Sequence, residues 1–124
     1  MNTTPAPPTI LQILPALNQG GIERGTLEIA DAITRAGGRA LVVSSGGRLE
    51  AHLRHVGAEH ITLPRIGSRN PAHLPGNIRA LRHILHDRQV SLVHARLRAP
   101  ARVAWLVCRA RGTPFVLTRP GLHA

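Results

Sequence analysis

The chain has 124 residues, 43% of them hydrophobic, with 16 basic against 6 acidic side chains and a formal net charge of +10. That length makes one domain with its own core, and that apolar content excludes a disordered tail. Aromatic residues are 2% of the chain, so the core is aliphatic, and Trp105 and Phe115 alone could stack bases, which argues against a dedicated single-strand nucleic-acid binder.

Every basic residue is arginine, and the arginines are spread along the whole sequence. Such a surface is attracted to phosphorylated compounds and anionic lipid headgroups, while most of its charges solvate helix faces. Cys108 is the single cysteine and sits in an apolar helical run, so it forms no internal disulfide, packs as a small core residue and fits a reducing compartment. The amino terminus has no positive region, and its uncharged stretch is interrupted by Pro5, Pro7, Pro8, Pro15 and two glycines. It therefore predicts neither a signal peptide nor a membrane span.

Taken in chain order, residues 1–8 form a loose, Pro-rich lead. Ile10, Leu11, Ile13 and Leu14 predict a buried strand that runs into Gly20-Gly21, after which Ile22, Thr26, Ile29 and Ile33 recur at helical spacing to about residue 36. Ala40-Leu41-Val42-Val43-Ser44 predicts a second strand, ended by Gly46-Gly47. Leu49, Leu53 and Val56 mark a short helix closed by Gly57. A third strand, His60-Ile61-Thr62-Leu63, stops at Pro64, and residues 66–75 predict a long loop suited to binding. Leu74, Ile78, Leu81 and Leu85 line one face of a third, basic helix. A fourth strand over residues 91–94 precedes Arg96 and Arg98, and Pro100 lies in the first turn of a helix that ends at Gly112. Phe115-Val116-Leu117-Thr118 predicts a fifth strand.

This alternation implies a parallel five-stranded sheet in the order 3-2-1-4-5 with helices on both faces. In such a sheet, ligands bind at the carboxyl ends of the strands. The adjacent Gly20 and Gly21 let a ligand approach the backbone, and the free N–H groups of a helix start attract an anion. His94, Arg96 and Arg98 are expected just past the fourth strand, where an imidazole can hydrogen-bond a hydroxyl and guanidinium groups can grip phosphate or carboxylate. A tight turn around the glycines and an exposed polar loop around His94 are the readings without a ligand. The glycines do not spell a dinucleotide-binding fingerprint, the second strand ends without an acidic residue, and no P-loop is possible without lysine. His52, His55, His60, His73, His83 and His86 have no cysteine partners and are expected at the surface, with no metal site.

The run from Leu14 through Gly20-Gly21 to Thr26, followed by Ser44-Ser45-Gly46-Gly47-Arg48-Leu49 and Val93-His94-Ala95-Arg96, resembles the amino-terminal domain of bacterial family 4 glycosyltransferases over nearly all of the chain after Pro8. These are retaining enzymes built from two facing Rossmann-like domains. The resemblance implies a Rossmann-like acceptor-side domain over residues 9–124, with Gly20 and Gly21 approaching the donor diphosphate and His94, Arg96 and Arg98 lining the acceptor side. It further implies transfer of a hexose from a sugar nucleotide to a lipid or polysaccharide acceptor, without a metal or other cofactor. In such a reaction a donor phosphate takes the acceptor proton, so the protein positions and stabilises charge.

Two departures from the family pattern stand out. Thr118-Arg119-Pro120-Gly121 places proline where the family has the histidine of Thr-x-His-Gly, and the family's nucleotide-binding carboxyl-terminal domain, with its paired glutamates, is not in these 124 residues. The expectation is a truncated domain, inactive alone, cytoplasmic or peripheral on the inner membrane face, and completed by a separately encoded half. The alternatives are a noncatalytic module that binds an anionic glycolipid, and charge-driven nucleic-acid binding without sequence specificity.

Overall fold

The computed structural model describes residues 7–16, 21–96 and 98–118, apart from the side chains of residues 21, 22, 98 and 99. Its strands are β1 (Thr9–Ile13), β2 (Arg39–Ser44), β3 (Glu59–Thr62), β4 (Leu92–Arg96) and β5 (Phe115–Thr118). They form one parallel sheet in the order β3-β2-β1-β4-β5, as the alternation of apolar runs and amphipathic stretches predicts. The α-helices are α1 (Gly21–Arg35), α2 (Glu50–His55), α3 (Leu74–Asp87) and α4 (Arg98–Arg111).

The two faces of the sheet are packed differently. Leu11, Ile13, Leu41, Val43, Val93 and Ala95 point from the central strands into an apolar cluster with Leu81, Ile84 and Leu85 of α3 and Ala101, Val103, Ala104, Val107 and Cys108 of α4. Cys108 is therefore a core residue, and burial pushes its thiol pKa up to about 11. On the other face Ala40 and Val42 join Leu14, Ala30, Leu53 and Ala58 in a smaller cluster, with Leu27, Ile33, Leu49 and Val56 against it.

Three local expectations need correction. The buried stripe of α1 runs through Thr26 and Ala30, whereas Ile29 is exposed, because helical periodicity alone does not say which residues beside an apolar stripe meet the sheet. The 66–75 segment is less irregular than predicted: Asn70 Oδ1 caps a single 3₁₀ turn (Pro71–His73) by accepting the Ala72 N–H at 3.0 Å, and α3 starts directly afterwards with Pro75 in its first turn. Ile66, fully buried, pins the segment to the core. Finally, β4 runs two residues past His94 to Arg96, so Arg96 is a strand residue rather than a loop residue.

Candidate functional site

The extension of β4 decides where the candidate side chains sit. In a strand, alternate residues share a face, so the V-H-A-R run sends Val93 and Ala95 into the apolar cluster and His94 and Arg96 to the opposite side. There His94 stands beside Gln12 in the sheet register, and β1 and β4 are the two strands between which the chain order reverses. In open α/β sheets that reversal point opens the crevice used for ligands.

Arg96 is 8% exposed. Its Nη2 donates to Gln12 Oε1 at 3.1 Å, and Gln12 Nε2 donates to the Thr26 carbonyl of α1 at 3.1 Å. Gln12 thus ties strand, helix and guanidinium together. His94 Nε2 lies 2.6 Å from Thr118 Oγ1 on β5. Burial, and secondarily the positive charge of Arg96, hold the His94 pKa below its ordinary value, which favours a neutral imidazole able to accept or donate a hydrogen bond. Arg98 begins α4 directly beyond this end of β4, and its side chain lies outside the described residues. Gly20 likewise lies outside the described residues, whereas Gly21 is the first residue of α1. The structure therefore brings His94 and Arg96 together on one face of the sheet, near the helix that Gly21 starts. Of the Thr-Arg-Pro-Gly run, Thr118 is the His94 partner, and residues 119–121 lie outside the described residues.

A second polar cluster lies at the carboxyl end of β2. Ser44 Oγ is 2.7 Å from His60 Nε2, and His60 Nδ1 is 3.2 Å from Glu50 Oε1. His60, expected at the surface, has a side chain only 4% exposed. Its pKa is lowered by burial, with Glu50 opposing that shift, so a neutral ring donating from Nδ1 to Glu50 and accepting the Ser44 hydroxyl proton satisfies all three groups. The order serine, histidine, carboxylate is that of a nucleophile with its base. Ser44 is nevertheless wholly buried, and its Oγ already accepts the Gly46 N–H at 3.0 Å. The cluster instead fastens the β2–α2 loop: Glu50 Oε2 accepts the Gly47 N–H at 3.0 Å, and Gly46, at φ 103°, is in a conformation that glycine alone adopts readily.

Among the described residues the remaining histidines divide by exposure. His52, His55, His83 and His86 are exposed, and His73 is half-buried with Nδ1 2.7 Å from Ser68 Oγ. Among the described residues no group of three or more His, Cys, Asp or Glu side chains converges as a metal site would require. The 66–75 segment does line an open cavity of about 360 Å³, in which Ser68, Arg69 and Asn70 face Arg102 of α4. A comparable hollow of about 370 Å³, bordered by Thr9, Arg39, Glu59 and Arg88, lies at the amino ends of the strands, away from the polar face.

The carboxyl end of the fifth strand, beginning at Thr118, was expected to carry binding residues; sequence reasoning missed Gln12 and Thr26 as members of the site. The signal for Gln12 was available as a polar residue flanked by Leu11 and Ile13 in a strand, because strict alternation marks two different faces.

Residues 19–122 match the family model of Glycosyltransferase Family 4. This chain belongs to that family. A glycosyltransferase from Rickettsia africae is similar at 34% identity and a TM-score of 0.79, over 90% of this chain and 29% of its own length. MurG of Acinetobacter baumannii shares the fold at 15% identity and a TM-score of 0.73, over 91% of this chain and 35% of its own. The carboxyl-terminal domain of a Pyrococcus furiosus hydrogenase also superposes, at 19% identity and a TM-score of 0.68, over 94% of this chain and 96% of that domain. Its presence shows that the α/β sheet alone does not decide chemistry. No curated protein sequence matches the chain. The family 4 chain described here spans less than a third of the Rickettsia glycosyltransferase, and its Rossmann-like architecture is that of the amino-terminal domain of two-domain glycosyltransferases.

Proposed function

We propose that this family 4 domain forms the acceptor side of a retaining glycosyltransferase that moves a hexose from a sugar nucleotide to a lipid or polysaccharide acceptor. The observation that carries this reading is the pairing of His94 and Arg96 on the polar face of β4, beside the strand-order reversal and near α1, in a chain of this family. Gly20 and Gly21 would lie against the donor diphosphate, where N–H groups at the start of α1 face negative charge. His94 and Arg96, with Arg98 at the start of α4, would orient the acceptor. Neither set supplies a covalent step, so the contribution of this domain is positioning and charge stabilisation.

Transfer then requires a nucleotide-binding unit, encoded with this one or separately. The 124-residue chain alone is expected to show neither sugar transfer nor hydrolysis of sugar nucleotides. Adding a complementary nucleotide-binding half is expected to restore transfer. Steady turnover by the pure chain, or no transfer with any family 4 nucleotide-binding half, would count against the reading.

A peripheral location on the cytoplasmic face of the membrane fits a second observation. Arg79, Arg82, His83, His86 and Arg111 border one basic groove, suited to anionic headgroups. Among the described residues no helix is long and apolar enough to cross a membrane.

A further inference from the structure

Among the described residues, Arg96 carries a buried charge without a carboxylate partner. Guanidinium groups stay protonated in proteins, and burying one is strongly unfavourable unless a counter-charge and hydrogen bonds compensate. Here the side chain is more than nine-tenths buried, and burial alone depresses its pKa, with no carboxylate opposing the shift. The ion pairs among the described residues lie elsewhere: Asp31 with Arg35, Glu50 with His60, and Glu59 and Asp87 with Arg88. Among the described residues Arg96 donates to the neutral amide of Gln12, and its buried Nε has no partner.

The surroundings hold that group in place beside α1. Gln12 is held by its own bond to the Thr26 carbonyl, which turns Oε1 towards Arg96. Arg96 Nη1 lies 3.9 Å from where a Cβ on Gly25 would stand, an ordinary contact distance, so the guanidinium lies directly against α1 at a residue without a side chain. The first turn of the same helix adds partial positive charge from the aligned N–H groups of its backbone. Gly25 lies about one turn from the start of that helix, so guanidinium and helix start add positive potential of the same sign to this end of α1, and a fork of N–H donors fits the oxygens of a phosphate group.

We propose that Arg96, held by Gln12 and lying against α1 at Gly25, is the counter-charge for a phosphate group on the acceptor. The proposal rests on the acceptor-side reading of this face and narrows the substrate class to phosphorylated acceptors, soluble or lipid-borne. Binding of the anion supplies what the folded chain lacks, so phosphate stabilises the protein as well as occupying it.

The test is thermal unfolding of the chain in inorganic phosphate against chloride at matched ionic strength. At about tenfold excess over Kd, phosphate is expected to raise Tm by roughly 5 °C. Arg96→Met is expected to abolish that rise. Gln12→Glu, which puts a carboxylate beside Arg96 Nη2, is expected to abolish it too and decides the matter if Arg96→Met does not fold. A hexose phosphate and phosphatidylcholine vesicles containing phosphatidic acid, each compared between wild type and Arg96→Met, tell a soluble from a lipid-borne phosphate. No rise in the wild type, a rise kept in Arg96→Met or Gln12→Glu, or a response only to uridine diphosphate would overturn the proposal. Because no sugar is transferred in this assay, its failure beside intact transfer in the reconstituted enzyme removes the phosphate site and leaves the transferase. Phosphate binding without transfer removes the transferase and leaves an anion site.

Discussion

The two faces of one sheet have separated stability from chemistry. Towards α3 and α4 the sheet meets a continuous aliphatic cluster with Leu81, Leu85 and Val107. Towards α1 and α2 the apolar cluster is smaller and shares the face with Gln12, Thr26, Ser44, His60, His94 and Arg96. A buried polar group must be hydrogen-bonded, and a buried charge must be paired. On this face the neutral groups are paired with one another, and the charge of Arg96 is not. An α/β sheet with both faces covered need not use them alike: one carries the larger aliphatic cluster, and the other carries the polar groups of the candidate site.

The sharpest way to break that comparison is to damage each face in turn. Leu85→Ala, in the aliphatic cluster, is expected to cost about 2–5 kcal/mol, measured by urea unfolding. A loss below about 1 kcal/mol would mean that this face is not the main source of stability. On the polar face the two members of one pair should behave in opposite ways. Gln12→Leu leaves the guanidinium buried without its partner and is expected to cost roughly 1.5–3 kcal/mol. Arg96→Met removes the charge itself and is expected to be neutral or stabilising when no anion is present. Equal destabilisation by both would make Arg96 a structural residue.

Acid should weaken the polar face selectively. The pKa values of His60 and His94 in the folded protein lie below the ordinary 6.5, so between those values and 6.5 the unfolded chain binds more protons. Stability is therefore complete above that ordinary value and declines as pH falls through the folded ones. A series of urea unfolding curves from neutral to mildly acidic pH checks the slope, and His60→Gln should flatten part of it. The smallest effect belongs to the outer surface of α3. Replacing Arg79 and Arg82 with alanine should weaken binding to anionic vesicles by about 1 kcal/mol per arginine, and wild-type binding should fade as salt rises. Salt-insensitive binding would contradict an electrostatic contact.

Much of this was legible in the sequence. Short apolar runs separated by amphipathic stretches led to the strand order, because parallel strands buried on both faces leave few other topologies. The placement of the candidate residues was legible in part: Gly21 starts α1, and His94 and Arg96 lie near the end of β4. What was misread is the local state of those residues. Arginine and histidine suggested a solvated loop after residue 94, although the alternation Val93, His94, Ala95, Arg96 is that of a strand with one polar face. His60 was misread for the same reason: its partners Ser44 and Glu50 are distant in sequence and meet it only across the β2–β3 pair and α2. Pairing partners of this kind are set by tertiary register, which composition and spacing do not contain.

The most direct measurement of the central claim compares wild type and Gly21→Ala in a reconstituted enzyme, this chain combined with a family 4 nucleotide-binding half. Gly21 is already helical at the start of α1, so alanine fits the backbone without strain, and any effect falls on what approaches that turn. The account predicts an unchanged Tm, with sugar transfer and donor affinity lower by about tenfold or more, as misplacement of a positioned phosphate requires. Equal transfer and equal donor affinity, measured on equally folded protein, would contradict it.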